Sequence, residues 1–304
     1  MTIAAMPKIM LWDNMPDRAS SGGRPSITPM LLPPCADGAP RPAMLVIPGG
    51  GYGGVCTNSE GAPIARVFNR LGYNCFVLDY RCGPFGHYPA MFQDAARAVK
   101  LIRARAGQFG IDPQQVYACG FSAGGHLAGS LGTSFCDQID ANAGDDADRQ
   151  SSRLNAMILC YPVTTGDERD GHAETLRNCW GLGDDARPSL RQLRDFDLRN
   201  YLDEQTAPAF LWHTCQDQMV PMNGSVGFAR AMLDAGLVCS FHLFPFGDHG
   251  MLLGLGTDTG VWTVMADEFI RTLRRRKSAS AEEFHRQYTN AEQCRRENDP
   301  DFAG

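Results

Sequence analysis

Val116-Tyr117-Ala118-Cys119-Gly120-Phe121-Ser122-Ala123-Gly124-Gly125-His126 is the stretch that decides the fold. Its first four residues are β-branched, aromatic or small and apolar, and read as a buried strand. The small-residue segment 126–132 that follows reads as a helix. Strand, sharp turn and helix therefore meet with a serine at the apex. Glycines two residues to either side of Ser122 leave room for the turn and for close packing of the helix on the strand. A hydroxyl presented in this way suits nucleophilic attack. A G-x-S-x-G string arises by chance in roughly one in five chains this rich in glycine, so the flanking strand and helix carry the specificity.

Outward from this turn, strands and helices alternate. Strands are expected over 43–47, 74–79, 115–119, 155–160, 208–213 and 237–244, and helices over 62–71, 91–106, 123–132, 224–235 and 260–274. That alternation predicts an α/β fold with a mostly parallel sheet covered on both faces. In the helix 91–106, Ala95, Ala98, Val99, Ile102 and Ala106 recur at the three- and four-residue spacing of one buried face. Two early segments, 8–12 and 26–32, are broken by proline and glycine turns and predict an antiparallel edge.

A serine nucleophile needs a base and an acid that orients the base. Ala209-Phe210-Leu211-Trp212-His213 reads as a buried strand and runs on through Thr214 to Pro221, which puts Asp217 just past the strand's carboxyl end. The strand 238–244 leads into Pro245-Phe246-Gly247-Asp248-His249-Gly250. His249 is the expected base and Asp217 the expected acid. Asp248 is the rival acid, but a residue adjacent to the base points away from it. Among the other histidines, His126 lies along the helix flank, His213 and His242 fall in strands where they pack or hydrogen-bond, and His87, His172 and His285 fall in loop or tail segments.

The apolar run 43–47 ends in Pro48-Gly49-Gly50-Gly51-Tyr52-Gly53-Gly54. Glycine amides can face a substrate oxygen with no side chain in the way. The N–H groups of Gly50, Gly51 and Ala123 are the expected oxyanion donors, each lowering an acyl-transfer barrier by about 3 kcal/mol. Tyr52, among them, is an expected substrate contact. Gly49, Gly51 and Gly54 also satisfy G-x-G-x-x-G after a strand, with Asp79 where a ribose-binding acid would sit. Pro63, at the expected first helical position, starts that helix about eight residues after Gly54, whereas a pyrophosphate rests on a helix opening within the motif. This spacing argues against a dinucleotide.

Pro-Gly-Gly-Gly-Tyr at 48–52, Tyr88-Pro89-Ala90 with Gln93-Asp94-Ala95, the Gly-Phe-Ser-Ala-Gly-Gly-His turn, Asp217 with Val220-Pro221, and Asp248-His249-Gly250 occur together in serine esterases. From about residue 8 to residue 273 the chain resembles α/β-hydrolases of the acetyl-esterase and acetyl-xylan-esterase-like group, near the dienelactone-hydrolase and prolyl-oligopeptidase-type catalytic domains. The order Ser122, Asp217, His249 is the one this fold uses. The resemblance implies hydrolysis of short acyl esters without a cofactor, often of acetyl groups on plant-derived oligosaccharides such as xylo-oligosaccharides. Many relatives of the hormone-sensitive-lipase type have His where Pro48 stands, a departure that separates this chain from that branch. The alternatives are a serine peptidase of prolyl-oligopeptidase type, for whose gating domain the chain has no room, and a binding protein on the same fold, whose mark would be a missing triad member.

Composition fits a soluble globular protein: 304 residues, 43% hydrophobic and 20% charged. A net charge of −6 gives no electrostatic footprint for nucleic acid. The eleven cysteines are odd in number, form no C-x-x-C, and at Cys75, Cys119, Cys160 and Cys239 fall in apolar runs, as buried thiols in a reducing compartment do. Residues 1–8 lack the basic and apolar regions of a leader, and no run approaches the length of a membrane span. A cytoplasmic location without membrane partners is expected. His213, Cys215 and Asp217 alternate as metal ligands can, but no second cluster accompanies them, so no metal is expected.

The catalytic domain is expected over 1–275, with 136–153 a polar surface loop and 163–207 a cap between the sixth and seventh strands. There Trp180 and Leu182 either line an acyl or sugar pocket or tie the cap to the body, and the glycines and aspartates of 181–185 suit a mobile lid. The charged extension 276–304 follows the basic run 274–277, which suits a helix carboxyl end. Docking of this tail on a second subunit would make a homo-oligomer.

Overall fold

Apolar runs of strand length, continuous rather than alternating, call for a sheet buried on both faces. A computed structural model describes residues 6–13 and 24–278 and contains that sheet. Its strands are β1 (Ile9–Met10), β2 (Ser26–Met30), β3 (Arg41–Ile47), β4 (Asn74–Asp79), β5 (Ile111–Phe121), β6 (Ala156–Cys160), β7 (Ala209–Thr214) and β8 (Cys239–Phe244). They lie in the order β1-β2-β4-β3-β5-β6-β7-β8. β1 pairs antiparallel with β2, and β2 antiparallel with β4, so the two early strands form an antiparallel edge, as the sequence predicts; the pairs from β4 through β8 are parallel.

Among the described residues, eight helices connect these strands: α1 (Thr57–Glu60), α2 (Ala62–Arg70), α3 (Ala90–Ala104), α4 (Ala106–Phe109), α5 (Ala123–Gly132), α6 (Ala173–Trp180), α7 (Leu190–Phe196) and α8 (Met222–Asp234). The chain steps from β3 outward to β4, then back across β3 to β5. With right-handed crossovers, α2 covers one face of the sheet and α3, α5 and α8 the other. The loops leaving the carboxyl ends of the adjacent strands β3 and β5 thus diverge to opposite faces. Such a switch point leaves a crevice where ligands bind in open α/β sheets. The glycine loop 48–54 and Ser122 stand on its two sides.

The turn from β5 into α5 depends on two glycines. A Cβ on Gly120 would lie 2.2 Å from the Gly124 carbonyl oxygen, and one on Gly124 would lie 2.2 Å from that of Ile47. Every residue of α5 is buried, so the helix lies directly against the sheet. Ser122, at φ 53°, is in the left-handed region that a residue with a Cβ rarely adopts. Hydrogen bonds from its N–H to the Cys160 carbonyl and from the Val163 N–H to its own carbonyl hold it there.

Differences from the expected elements are local. The helix 91–106 breaks at Arg105 and resumes as α4, which ends at Gly110 in the left-handed conformation. The additional helix α1 starts soon after Gly54, and Pro63 occupies the second position of α2. The segment 163–207 contains α6 and α7, and the Ser189-x-x-Gln192 capping box that starts α7 is legible in the sequence.

Helix α9 (Trp262–Ser278) begins in a first compact unit that ends at Thr263, and supplies the described part of a second that begins at Val264. Within that second unit Arg271 pairs with Asp267 at 2.7 Å. The extension expected over 276–304 lies outside the described residues from 279 onward. Among the described residues, no helix is long and apolar enough to cross a membrane, and no three His, Cys, Asp or Glu side chains group as metal ligands.

Candidate active site

Ser122, Asp217 and His249 leave the carboxyl ends of β5, β7 and β8 and meet above the sheet. The Ser122 hydroxyl lies 2.9 Å from Nε2 of His249, and Nδ1 of His249 lies 2.7 Å from Oδ2 of Asp217. A carboxylate can only accept, so Nδ1 carries the proton and Nε2 is free to accept from the serine. Asp248, the rival acid, accepts the backbone N–H of His249 and does not reach its ring nitrogens.

Asp217 is fixed at both oxygens. Oδ1 accepts the N–H groups of Met219 and Val220, and Oδ2 accepts from His249 and from Nε2 of His213. Burial works to raise its pKa, but the hydrogen bonds from His213, His249 and the Val220 N–H prevail and hold it well below the usual carboxylate range. Nε2 of His213 also faces the Val220 carbonyl, a second acceptor, so this nitrogen is the protonated one and Nδ1 accepts from the Ser225 hydroxyl at 2.8 Å.

The glycine loop abuts the serine turn. A Cβ on Gly49 would lie 3.0 Å from Cβ of Ser122. The carbonyl of Gly50 accepts two loop amides, and that of Gly51 accepts from Nδ2 of Asn178 on α6 at 2.8 Å. Among the described residues, no hydrogen-bond acceptor is found for the N–H groups of Gly50, Gly51 and Ala123. These are the three donors that the sequence reading expects to face an oxyanion, on the serine turn and on the loop that abuts it. The Gly49 N–H is occupied by the Glu60 carboxylate at 2.6 Å. That carboxylate would repel a pyrophosphate on the glycine motif, a stronger reason against a dinucleotide than the spacing of α2.

Tyr52 does not meet its expected role as a substrate contact. At φ 56° the backbone turns its ring inward, where it is wholly buried against Tyr80, Phe92 and His126, with its hydroxyl 2.9 Å from Nδ1 of His126. His126 is likewise fully buried rather than lying on a helix flank, and burial lowers its pKa to about 4. Trp180 packs on Tyr88 with ring centroids 4.4 Å apart. Together with the Tyr88 N–H to Cys179 carbonyl bond, it ties the segment 163–207 to the body. Leu182 is half-buried, its N–H bonded to the Arg177 carbonyl.

Residues 30–232 match the family model BD-FAE. The chain belongs to the BD-FAE family. This BD-FAE chain is 38% identical over 239 residues to endo-1,4-beta-xylanase B of Butyrivibrio fibrisolvens, covering 77% of this chain and 34% of that one. It is 30% identical over 233 residues to the acetylxylan esterase of Xylanibacter ruminicola, covering 76% of this chain and 44% of that one. The chain thus spans less than half the length of these two curated relatives. Among solved structures, the acetyl ester-xyloside bifunctional hydrolase from Caldicellulosiruptor lactoaceticus superposes with a TM-score of 0.79 at 32% identity, over 88% of this chain and 96% of that one. The fold of the BD-FAE chain is that of the α/β hydrolases.

Three further residues at this BD-FAE site escape a reading by motif. His213 was legible only as a strand histidine; its place four residues before Asp217 is the signal that it reaches the carboxylate. Tyr161, at φ 37° after β6, sets its ring 5.0 Å from that of His249. Glu60 sits in a short polar helix with nothing in its local sequence to mark it as buried.

Proposed function

We propose that this chain is a serine carboxylesterase that removes short acyl groups, acetyl foremost, from esters of plant-derived oligosaccharides such as xylo-oligosaccharides. The observation that carries this function is the hydrogen-bonded line Ser122, His249, Asp217 beside three unpaired backbone amides. The Ser122 oxygen attacks the ester carbonyl while Nε2 of His249 takes its proton, and Asp217 stabilises the resulting imidazolium. The N–H groups of Gly50, Gly51 and Ala123 receive the oxyanion of the tetrahedral intermediate. His249 then protonates the leaving alcohol. A water activated by the same nitrogen cleaves the acyl-enzyme and frees Ser122.

The acetyl and xylan components are supported by the printed names of the relatives, which include an acetylxylan esterase, a xylanase and an acetyl ester-xyloside hydrolase. The segment 163–207 is the cap of this site, with Trp180 as its anchor and Leu182 as the remaining candidate for an acyl or sugar contact. The test is hydrolysis of p-nitrophenyl esters from acetate to octanoate and of acetylated xylo-oligosaccharides by the wild type and by Ser122→Ala. Activity that is highest on acetate, extends to the oligosaccharides and vanishes in the variant is expected. Wild-type-like turnover by folded Ser122→Ala would sink the mechanism; silence on every ester would favour a peptidase or a binding role.

A further inference from the structure

The loop bearing Gly50 and Gly51 leaves β3 and the loop bearing His249 leaves β8, with β5, β6 and β7 lying between them. A buried bridge joins the two. The Gly49 N–H donates to Oε2 of Glu60 at 2.6 Å, and the Tyr161 hydroxyl donates to Oε1 at 2.9 Å. The Tyr161 ring in turn stands edge-on to the His249 ring, with centroids 5.0 Å apart. Glu60 is only 6% exposed, and a buried carboxylate is tolerated only when both oxygens are satisfied. Burial pushes its pKa up, while the Gly49 and Tyr161 donors and the nearby His249 favour the ionised form.

Resting on the esterase function above, we propose that Glu60 is a positioning residue of this site: it keys the glycine loop to the histidine loop through Tyr161 and adds a second negative charge near His249. A carboxylate placed only to close a turn would need no partner just after β6 and no link to the far loop. The ionisable groups facing His249 are Asp217 on the β7 loop, Glu60 on α1, Tyr161 after β6, His172 at the start of α6 and the adjacent Asp248. His172 takes its own pKa lowering mainly from burial. Of these carboxylates, Asp217 bonds the imidazole directly, whereas Glu60 acts through the loops and through its charge.

The test compares wild type, Glu60→Gln, Tyr161→Phe and Ser122→Ala on p-nitrophenyl acetate. Glu60→Gln keeps the size and an acceptor for Gly49 but removes the charge; Tyr161→Phe cuts the bridge and leaves the charge. Both are expected to lose kcat by about tenfold or more with KM within about twofold, because the geometry they disturb matters in the transition state. In Glu60→Gln the acid limb of kcat/KM moves to lower pH by about half a unit, the direction expected when a negative charge near a base is removed. Tyr161→Phe leaves that limb in place. A lowered melting temperature with wild-type kcat and an unmoved acid limb would make Glu60 merely structural and overturn the inference. If Glu60→Gln does not fold, the kcat of Tyr161→Phe decides. Inactive Ser122→Ala beside an unaffected Glu60→Gln removes this inference alone, whereas active Ser122→Ala removes the esterase mechanism and this inference together.

Discussion

Nε2 of His213 lies 3.0 Å from Oδ2 of Asp217, the same oxygen that Nδ1 of His249 reaches at 2.7 Å. The carboxylate is thus shared by two histidines, one wholly buried and one facing the cleft. His213→Leu removes the buried donor and leaves Asp217 free to turn away from His249. A loss in kcat/KM of about tenfold is expected, equivalent to about 1.4 kcal/mol of transition-state stabilisation. In an Asp217→Asn background the same substitution should add little, and equal losses in both backgrounds would assign the effect of His213 to some other part of the fold.

Asp217→Asn keeps the shape of the site but presents an amide to Nδ1 of His249, favouring the wrong tautomer. By analogy with the corresponding change in the serine-protease triad, kcat falls by about 10³-fold or more. Steady-state kinetics on p-nitrophenyl acetate check this; a loss below tenfold would take Asp217 out of the mechanism.

Gly124→Ala sets a methyl group 2.2 Å from the Ile47 oxygen and 2.5 Å from that of Pro48. Both obstacles are backbone, so no side chain can swing away. Destabilisation by about 3 kcal/mol or more is expected, seen as a lower urea midpoint or as insoluble protein. Gly107→Ala is the control, since nothing lies within 4 Å of a Cβ there and the site is helical. It should leave stability unchanged or raise it by up to about 1 kcal/mol.

His126 gives stability a pH dependence of its own. Burial holds its pKa at about 4, below its ordinary 6.5, so between these values the unfolded chain binds a proton that the folded chain does not. The contribution is intact above pH 6.5 and is lost as pH falls toward 4, by roughly 3 kcal/mol in all. Urea unfolding at pH 7 and pH 4.5 should show this slope, and His126→Gln should flatten it even though it lowers stability at both pH values. An unchanged slope in that variant would place the acid sensitivity elsewhere.

Much of this architecture is legible because it is local. The strand 74–79 and the helix 123–132 have the bounds that their apolar runs and flanking glycines predict. Asp217 and His249 are legible by position, each in the loop that follows a recognisable strand. Glu60 is not, because Thr57-Asn58-Ser59-Glu60 reads as polar surface, and the hydroxyl it binds is that of Tyr161, 101 residues further along. Tyr52 misleads for the opposite reason. An aromatic ring among loop glycines suggests an exposed contact, and nothing local in the sequence marks its packing on Tyr80, Phe92 and His126. In 163–207 the helices are short, and Trp180, Asn178 and Phe196 hold them by meeting partners on the body, as where the Phe196 ring stacks on His126 at 3.9 Å.

The bond from Ser122 to His249 spans 127 positions of the chain, and every strand from β5 to β8 must stand in register for it to form. During synthesis, then, the serine and its strained turn are complete long before anything can withdraw the serine's proton. The hydroxyl stays an ordinary alcohol until β8 takes its place on the sheet edge. On the proposed mechanism reactivity is a property of the finished sheet, so its appearance during refolding reports the closing of that last strand.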